Sequence, residues 1–295
     1  MKVLRARVYG YCMGVRRAVD MAYAEAARTG RGRVLTAGPL IHNPQALEEL
    51  RKSGVEVLKD KPSFEAVAAD LADATVVVRA HGIPPETQRG LEARGARIID
   101  ATCPRVRSSQ TKARALTDRG YRLFLAGERQ HGEIVGIQGY AEGCIVVSGS
   151  GEATAAAAAL KKAEPDAMTA LIGQTTLSLE EFDAVANAIR AFFPDLEVHD
   201  TICRATKERQ GALRELLPEV DATVVVGGKN SSNTRRLFEI ALASGKPAWH
   251  VETEAELPDE VRSYAVVALT AGASTPDDVV DRVEAHLSSL NSFSR

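Results

Sequence analysis

Short apolar runs separated by helical segments constrain the fold of this 295-residue chain more than any other feature. These runs are nearly continuous in apolar character and rich in β-branched residues, which is typical of strands buried on both faces of a parallel sheet. We predict strands at Thr75–Arg79, Arg122–Ala126, Ala170–Ile172, Ala222–Val226 and Ala265–Leu269. Because helical patterns alternate with these runs, the sequence predicts an α/β fold with mostly parallel sheets.

Capping signals mark the ends of several predicted helices. A polar residue that accepts backbone hydrogen bonds, often followed by proline or an acid, is typical of a helix start, and glycine is typical of a helix end. The signals are Asn43-Pro44 with Gly54, the pair Ser178 and Glu181, Pro194 after the helix that this pair starts, and Thr275-Pro276 before the last helix. We also expect a peripheral Ala-rich helix at Glu152–Ala163 and a frayed tail at Asn291–Arg295.

Three of the four cysteines occur in similar sequence contexts. Asp100-Ala-Thr-Cys103 and Asp200-Thr-Ile-Cys203 each end a predicted strand or its exit loop and then precede a basic helix, and Cys12 precedes a similar helix. The intervals of 91 and 100 residues are each the size of one small α/β unit. We therefore predict α/β domains at 14–102, 103–200 and 201–285, with residues 1–13 packing centrally and 286–295 as a C-terminal tail.

The placement of these cysteines favours a metal cluster over other cysteine chemistry. No cysteine pairs with another as C-x-x-C, which argues against a zinc ribbon or a thioredoxin-like motif. A thiolate at a helix start beside Arg or Lys is electrostatically favoured. Three such thiolates suit a cube of iron and sulfide that is held at three irons with the fourth iron open, whereas zinc more often recruits closely spaced ligands. The alternative is that each cysteine is a small core residue.

Polar residues gather where the predicted strands end. In open α/β sheets the functional crevice lies beyond the carboxyl ends of the strands. The polar loops are His42-Asn43, His81-Gly82, Glu128 to Glu133 with His131, Gln174 to Thr176, Lys229 to Asn233 and Ala271 to Ser274. Many lead into helix N-termini, which favour anions, so convergent loops would form a pocket for a small, highly charged anion. The alternatives are solvated or capping histidines, helix capping by Asn230 to Asn233 with Asn233 itself as a cap, and a surface charge at Glu133.

Composition argues against several classes of protein. The net charge of −2 gives no electrostatic footprint for nucleic acid or an anionic membrane. No apolar run approaches the roughly 18 residues that a membrane span requires. The N-terminus lacks the apolar centre of a signal peptide, so we expect a cytoplasmic protein. No G-x-G-x-x-G follows a predicted strand, which makes a built-in nicotinamide site unexpected.

Taken together, these motifs resemble those of the 4-hydroxy-3-methylbut-2-enyl diphosphate reductase family. They stand in the family's order from residue 10 to residue 274. The matching segments are Gly10-Tyr-Cys12-Met-Gly-Val-Arg-Arg-Ala, His42-Asn43, Ala80-His81-Gly82, Asp100-Ala-Thr-Cys103-Pro, His131-Gly-Glu133, Gln174-Thr-Thr-Leu-Ser178, Asp200-Thr-Ile-Cys203, Lys229-Asn-Ser-Ser-Asn233 and Thr270-Ala-Gly-Ala-Ser274.

The resemblance implies a fold, a reaction and a set of site residues. The fold is a pseudo-threefold trefoil of three α/β domains around a central [4Fe-4S] cluster. The reaction is the reductive dehydroxylation of an allylic diphosphate to isopentenyl and dimethylallyl diphosphates, with electrons from ferredoxin or flavodoxin. The implied residues are Cys12, Cys103 and Cys203 as cluster ligands, His42, His81, His131, Ser231, Ser232, Asn233 and Ser274 on the diphosphate, Glu133 as proton donor, and Thr175 near the substrate hydroxyl.

Two departures from the family pattern stand out. Where many relatives read His-Pro-Glu, this chain has His131-Gly132-Glu133, which loosens the backbone beside the acid but keeps the spacing of His and Glu. The family does not require Cys144, which we expect to be a buried core thiol. Two other functional classes remain as alternatives: a redox-neutral iron–sulfur hydro-lyase, and a cluster-bearing sensor or binding module.

Overall fold

The computed structural model describes residues 1–28, 32–58 and 71–290. It divides into two compact units by its internal contacts. The first unit comprises Met1–Arg16, Ile41–Glu49 and Arg204–Arg295, and the second comprises Arg17–Leu40 and Leu50–Cys203. The predicted tail at Asn291–Arg295 lies outside the described residues.

The strands of the described part form three four-stranded sheets in which every pairing is parallel. They are β1 (Lys2–Arg5), β2 (Val34–Ala37), β3 (Val55–Leu58), β4 (Thr75–Val78), β5 (Arg97–Asp100), β6 (Arg122–Ala126), β7 (Ile145–Val147), β8 (Thr169–Gly173), β9 (Glu197–Val198), β10 (Ala222–Val226), β11 (Ala248–Val251) and β12 (Val266–Ala271). The predicted α/β class and all five predicted strands are confirmed, two strands with the predicted bounds and three with ends shifted by one or two residues.

Helices connect these strands, as parallel pairing requires. They are α1 (Met13–Ala26), α2 (Pro44–Lys52), α3 (Pro85–Glu92), α4 (Pro104–Asp118), α5 (Gly132–Gln138), α6 (Ser150–Ala163), α7 (Leu179–Arg190), α8 (Arg204–Leu216), α9 (Ser232–Ala243) and α10 (Asp277–Ser289). Short 3-10 helices lie at Leu217–Glu219, Glu254–Glu256 and Asp259–Ser263. The predicted Ala-rich helix is α6.

The three sheets share one strand order. They read β3-β2-β4-β5, β7-β6-β8-β9 and β11-β10-β12-β1. In each sheet the last strand named precedes a cysteine, and its neighbour is a strand buried on both faces. The N-terminal strand β1 pairs with β12, so the first residues of the chain complete the sheet of its last third. The repeat that the cysteine contexts indicated is therefore a repeat of topology, while the exact domain boundaries stay a prediction.

Local hydrogen bonds explain why most predicted helix ends are correct and one is wrong. Asn43 Oδ1 accepts from the N–H of Ala46, and Ser178 forms a capping box with Glu181. Gly54, at φ +86°, follows the end of α2. The expected cap at Thr275 is wrong because its hydroxyl donates to the carbonyl of Val226 instead, at 3.1 Å. The hydroxyl of Thr275 binds a carbonyl that is distant in sequence, and α10 has no side-chain cap.

Each sheet packs its apolar side chains against flanking helices. Phe124 of β6 is fully buried in a cluster to which Ala157 of α6 and Phe182 and Val185 of α7 belong. Burying an aromatic side chain of this size contributes a few kcal/mol to the free energy of unfolding, through transferred area and dense packing. These cores hold the strands whose ends carry the polar loops.

We predict that Phe124→Ala lowers the free energy of unfolding by about 3–5 kcal/mol, because it leaves a cavity beneath α6 and α7. Urea denaturation followed by circular dichroism measures this loss. The matched control is Met168→Ala, since Met168 is 53% exposed and its truncation opens no cavity. Equal losses in the two variants would contradict the packing described here.

Candidate active site

Each of the three predicted cluster ligands lies at the start of a helix that follows a sheet-edge strand. Cys103 is the N-cap residue of α4, Cys12 directly precedes α1, and Cys203 directly precedes α8. The backbone N–H of Cys103 donates to Ala80 O at 2.9 Å. Each cysteine is thus placed by its own edge strand and by the helix that follows it.

The other two cysteines make the equivalent backbone bond. The N–H of Cys203 donates to Thr175 O at 3.0 Å, and the N–H of Cys12 donates to Ala273 O at 3.1 Å. In all three cases the acceptor lies in the loop after the strand that neighbours the cysteine's own strand. Each cysteine is therefore anchored to a loop that the sequence marks as polar and functional.

The aspartates of the repeated motif have a structural role. Asp100 Oδ1 accepts from the N–H of Thr102 at 2.9 Å, and Asp200 Oδ1 accepts from the N–H of Ile202 at 3.1 Å. These bonds fix the turn between the edge strand and the cysteine, as Asx turns do. The two motifs have the same spacing of Asp and Cys, and the same turn therefore leads from each edge strand to its helix.

The loop before Cys12 is held differently, by a buried arginine of the same unit. Arg209 of α8 donates from Nη2 to Gly10 O at 2.6 Å. Gly10 has φ +68°, and a Cβ there would lie 2.1 Å from Asp277 Oδ1. Glycine at position 10 is therefore required both by backbone conformation and by space.

The thiols fit the chemistry of cluster ligation. Cys12, Cys103 and Cys203 form no disulfide and are partly exposed, each at a helix start. Thiolates at such positions are favoured by the helix dipole, and iron–sulfur clusters are held by thiolates. Cys144 is also free, but it packs partly buried against an apolar core, and burial raises the pKa of its thiol. It is half-buried rather than a fully buried core thiol.

Two of the predicted diphosphate-binding histidines lie together in the second unit. The rings of His81 and His131 have centroids 5.1 Å apart and meet edge to face at 84°. His131 is the N-cap residue of α5, and its Nδ1 accepts from the backbone N–H of Glu133 at 3.2 Å. The neutral imidazole therefore carries its proton on Nε2, which suits donation to an anionic oxygen.

Glu133 is buried at the start of α5 and is only 1% exposed. The backbone N–H of Thr175 donates to Oε1 at 2.8 Å, and the hydroxyl of Thr175 donates to Oε2 at 2.7 Å. Burial raises the pKa of Glu133 to about 7, although both bonds from Thr175 act in the opposite direction. The interpretation of Glu133 as a surface loop charge is wrong: it is a buried helical acid able to exchange a proton near neutral pH.

His42 lies with two of the predicted serines in the first unit. Ser274 Oγ donates to His42 O at 3.1 Å and lies 3.4 Å from Ser231 Oγ. A Cβ at Gly228 would lie 2.3 Å from the same carbonyl of His42, so glycine permits this close approach. Three residues that are distant in sequence therefore share one set of polar contacts.

The hydroxyl and amide residues around the start of α9 have separate roles. Ser231 is the N-cap and accepts from the N–H of Thr234 at 3.3 Å. Asn233, which the sequence allowed as a cap, instead accepts from the N–H of Ala273 at 2.9 Å and so joins this helix to the loop before Ser274. Ser232 Oγ accepts from Arg235 at 3.2 Å. The helix-capping alternative thus holds for Ser231 and is wrong for Asn233.

Sequence reasoning gave no individual site role to two buried residues of the second unit. Arg79 is 8% exposed, and its Nε donates to Gly82 O at 3.3 Å, across the turn that carries His81. Gln174 is 1% exposed, and its Oε1 accepts from the N–H of Glu128 at 2.9 Å. An arginine at the end of an otherwise apolar strand was the available signal for Arg79.

Comparisons with known proteins find similar chains over nearly the whole length of this one. A family model described as LytB protein matches residues 3–288. The chain is 45% identical over 290 residues to the 4-hydroxy-3-methylbut-2-enyl diphosphate reductase of Treponema denticola, covering 97% of this chain and 99% of the relative. It is 36% identical over 290 residues to the protein of the same name from Aquifex aeolicus, covering 98% and 96%.

Two solved structures resemble the fold. The structure of the E-1-hydroxy-2-methyl-but-2-enyl-4-diphosphate reductase from Plasmodium falciparum matches with a TM-score of 0.86 at 24% identity, covering 96% of this chain and 87% of the other. A structure of (E)-4-hydroxy-3-methyl-but-2-enyl diphosphate reductase matches with a TM-score of 0.68 at 36% identity, covering 98% and 100%. Among the helices of the described residues, none has the length and apolar character to cross a bilayer.

The raised pKa of Glu133 predicts a specific pH dependence of stability. The folded chain holds this proton more tightly than the unfolded chain, so the stabilisation is complete below pH 4.5 and is lost as pH rises to about 7. The free energy of unfolding of the wild type, minus that of Glu133→Gln, should therefore fall by about 1.4 kcal/mol per pH unit across this window. Urea titrations of both proteins between pH 4 and pH 8 measure the difference, and a flat difference would refute the assignment.

Proposed function

The chain belongs to the LytB protein family, and on that premise we propose that it reduces (E)-4-hydroxy-3-methylbut-2-enyl diphosphate to isopentenyl diphosphate and dimethylallyl diphosphate. This is the last step of the non-mevalonate isoprenoid pathway. One observation supports the proposal beyond the likeness of sequence: Thr175 joins the buried acid Glu133 to the backbone of Cys203. Through this single residue, an acid with a pKa of about 7 is connected to a proposed cluster ligand.

We propose a [4Fe-4S] cluster as the resident cofactor, with Cys12, Cys103 and Cys203 as its ligands. The support is the equivalent placement of three partly exposed cysteines at helix starts, none of them in a disulfide. When bound, such a cluster supplies electrons and an iron with an open coordination position that polarises the substrate's hydroxyl oxygen. Cys144 precedes a strand rather than a helix, so it is left out of the ligand set.

The diphosphate is proposed to bind histidine and hydroxyl side chains. In the second unit, His81 and His131 offer imidazole N–H groups to phosphate oxygens. In the first unit, the proposed contacts are His42, Ser231, Ser232, Asn233 and Ser274, whose loops surround the start of α9. Binding energy from the unreactive diphosphate orients the C–O bond that breaks.

The proton on Glu133 completes the chemistry. Two electrons and two protons convert the substrate: the C–O bond breaks, a C–H bond forms, and the hydroxyl leaves as water. Hydroxide is a poor leaving group, so a proton must reach the oxygen as the bond breaks. When Glu133 is protonated, the 2.7 Å bond between Glu133 Oε2 and Thr175 Oγ reverses, so that the acid donates to Thr175 Oγ. The Thr175 hydroxyl then rotates to donate its own proton to the substrate oxygen, which leaves as water.

The remaining assignments concern the partner and the compartment. We propose ferredoxin or flavodoxin as the external electron donor, as the family resemblance implies for a reaction that consumes two electrons. We also propose the cytoplasm as the location and neither nucleic acid nor a membrane as a partner, in keeping with the net charge of −2.

We predict that Glu133→Gln lowers kcat by about 10²–10⁴-fold while the absorbance of the cluster is unchanged, because the amide cannot deliver a proton. The measurement is substrate-dependent oxidation of reduced viologen by anaerobically purified protein. The matched control is Glu142→Gln, because Glu142 is an exposed acid between α5 and β7. This variant should keep the wild-type rate. A wild type that converts the substrate without consuming electrons would be a hydro-lyase and would contradict the proposed reaction.

Replacement of single cysteines separates the ligands from the remaining thiol. We predict that Cys203→Ser loses most of its bound iron and sulfide, and with them the broad visible absorbance, because a thiolate ligand is missing. Cys144→Ser should retain both at the wild-type level, since Cys144 packs against an apolar core. Iron analysis and an absorbance spectrum of each anaerobically prepared protein decide the point. Equal iron loss in the two variants would overturn the ligand assignment.

A further inference from the structure

Arg79 occupies space that exists only because residue 132 is glycine. A Cβ on Gly132 would lie 2.9 Å from Arg79 Cζ, 3.0 Å from Nη2 and 3.2 Å from Nε. The guanidinium therefore lies directly on the backbone at the first residue of α5, between His131 and Glu133 in sequence. Any side chain at position 132 would have to displace it.

The same arginine closes the turn that carries His81. The carbonyl of Arg79 accepts from the N–H of Gly82 at 2.9 Å, and Nε of Arg79 donates back to Gly82 O at 3.3 Å. Gly82 has φ +72°, as the turn requires. The main chain and the side chain of Arg79 thus both bind Gly82, across the turn that contains His81.

The rest of this face of α5 is also glycine and also packs on the histidine turn. A Cβ on Gly136 would lie 3.3 Å from His81 O, and a Cβ on Gly139, the residue that caps the end of α5, would lie 2.6 Å from Pro84 Cβ. Residues 132, 136 and 139 share one helix face by their spacing. The segment from Arg79 to Pro84 therefore runs along a glycine face of α5. The contact of Arg79 with Gly132 lies at the N-terminal end of this face.

From this geometry we infer that Arg79 is a positioning residue, matched in size to Gly132, which locks the turn of His81 to the start of α5. Its guanidinium ties the residue that binds diphosphate, His81, to the helix turn that holds both His131 and the acid Glu133. The side chain of Arg79, from the loop after β4, thereby constrains the backbone of His131-Gly132-Glu133. The inference deepens the proposed function and rests on it for the identity of the substrate.

The test is a double-mutant cycle on kcat/KM and on the binding of inorganic pyrophosphate. Arg79→Met removes the donor, and Gly132→Ala displaces the guanidinium, so each should lower kcat/KM by about tenfold or more, as misplacement of positioning groups does. Because both changes break the same contact, the double variant should be no worse than the more damaged single variant. Pyrophosphate dissociation constants from anaerobic calorimetry should show the same pattern.

Three further variants separate positioning from folding. Arg79→Lys keeps a charged donor with a smaller head, so it should recover part of the activity lost in Arg79→Met, and it should tolerate Gly132→Ala better than arginine does. Gly151→Ala is the matched glycine control, since nothing lies within 4 Å of a Cβ there, and Arg122→Met is the matched arginine control on an exposed ion pair. Both controls should behave as wild type.

Several results would overturn the inference. These are wild-type kcat/KM in Gly132→Ala, losses that multiply in the double variant, or unchanged pyrophosphate binding in Arg79→Met. The calorimetric arm needs no turnover, so it still decides the role of Arg79 if the wild type proves unable to reduce the substrate. In that case the proposed reaction fails, while coupled losses of pyrophosphate binding would still support the positioning role.

Discussion

One type of backbone hydrogen bond occurs three times in this protein and holds each proposed cluster ligand to a polar loop. In each sheet the N–H of a cysteine donates to a carbonyl in the loop after the neighbouring strand, at Ala80, Thr175 and Ala273. This bond fixes a helix start, a thiol and a polar loop with respect to one another. Because the three sheets share one strand order, the same arrangement arises each time, and it does so even where the edge strand comes from the opposite end of the chain.

The loops fixed in this way carry the groups to which we assign the proposed chemistry. Thr175 contributes its carbonyl to the backbone of Cys203 and both its N–H and its hydroxyl to Glu133. A displacement of this residue would therefore disturb a proposed ligand and the acid together. Desolvation raises the pKa of Glu133 to about 7, whereas the bonds from Thr175 alone would lower it. The acid is thus stable in its protonated form and still able to release the proton near neutral pH.

Glycine residues of α5 allow the close packing beside the two histidines of the second unit. The glycine face of α5 lets the chain from Arg79 to Pro84 approach the helix backbone, and the rings of His81 and His131 come within 5.1 Å as a result. At Gly132 the missing side chain is replaced in space by the guanidinium of Arg79. Glycine usually costs helix stability because it leaves the backbone free. Here the close packing restores the constraint from outside the helix.

Much of this protein is decided by short stretches of its sequence. The buried strands and the caps at Asn43 and Ser178 depend on residues within a few positions of one another, and each was predicted. The Asp-to-Cys turns are equally local, but the sequence indicated only their repeated context and not the bond that fixes them. The predicted cap at Thr275 failed because a distant acceptor, Val226 O, takes its hydroxyl. Likewise the burial of Glu133, its bonds to Thr175 and the contact of Arg79 with Gly132 join residues far apart in the chain. Desolvation, hydrogen-bond choice and close approach depend on neighbours in space, so only the tertiary structure decides them.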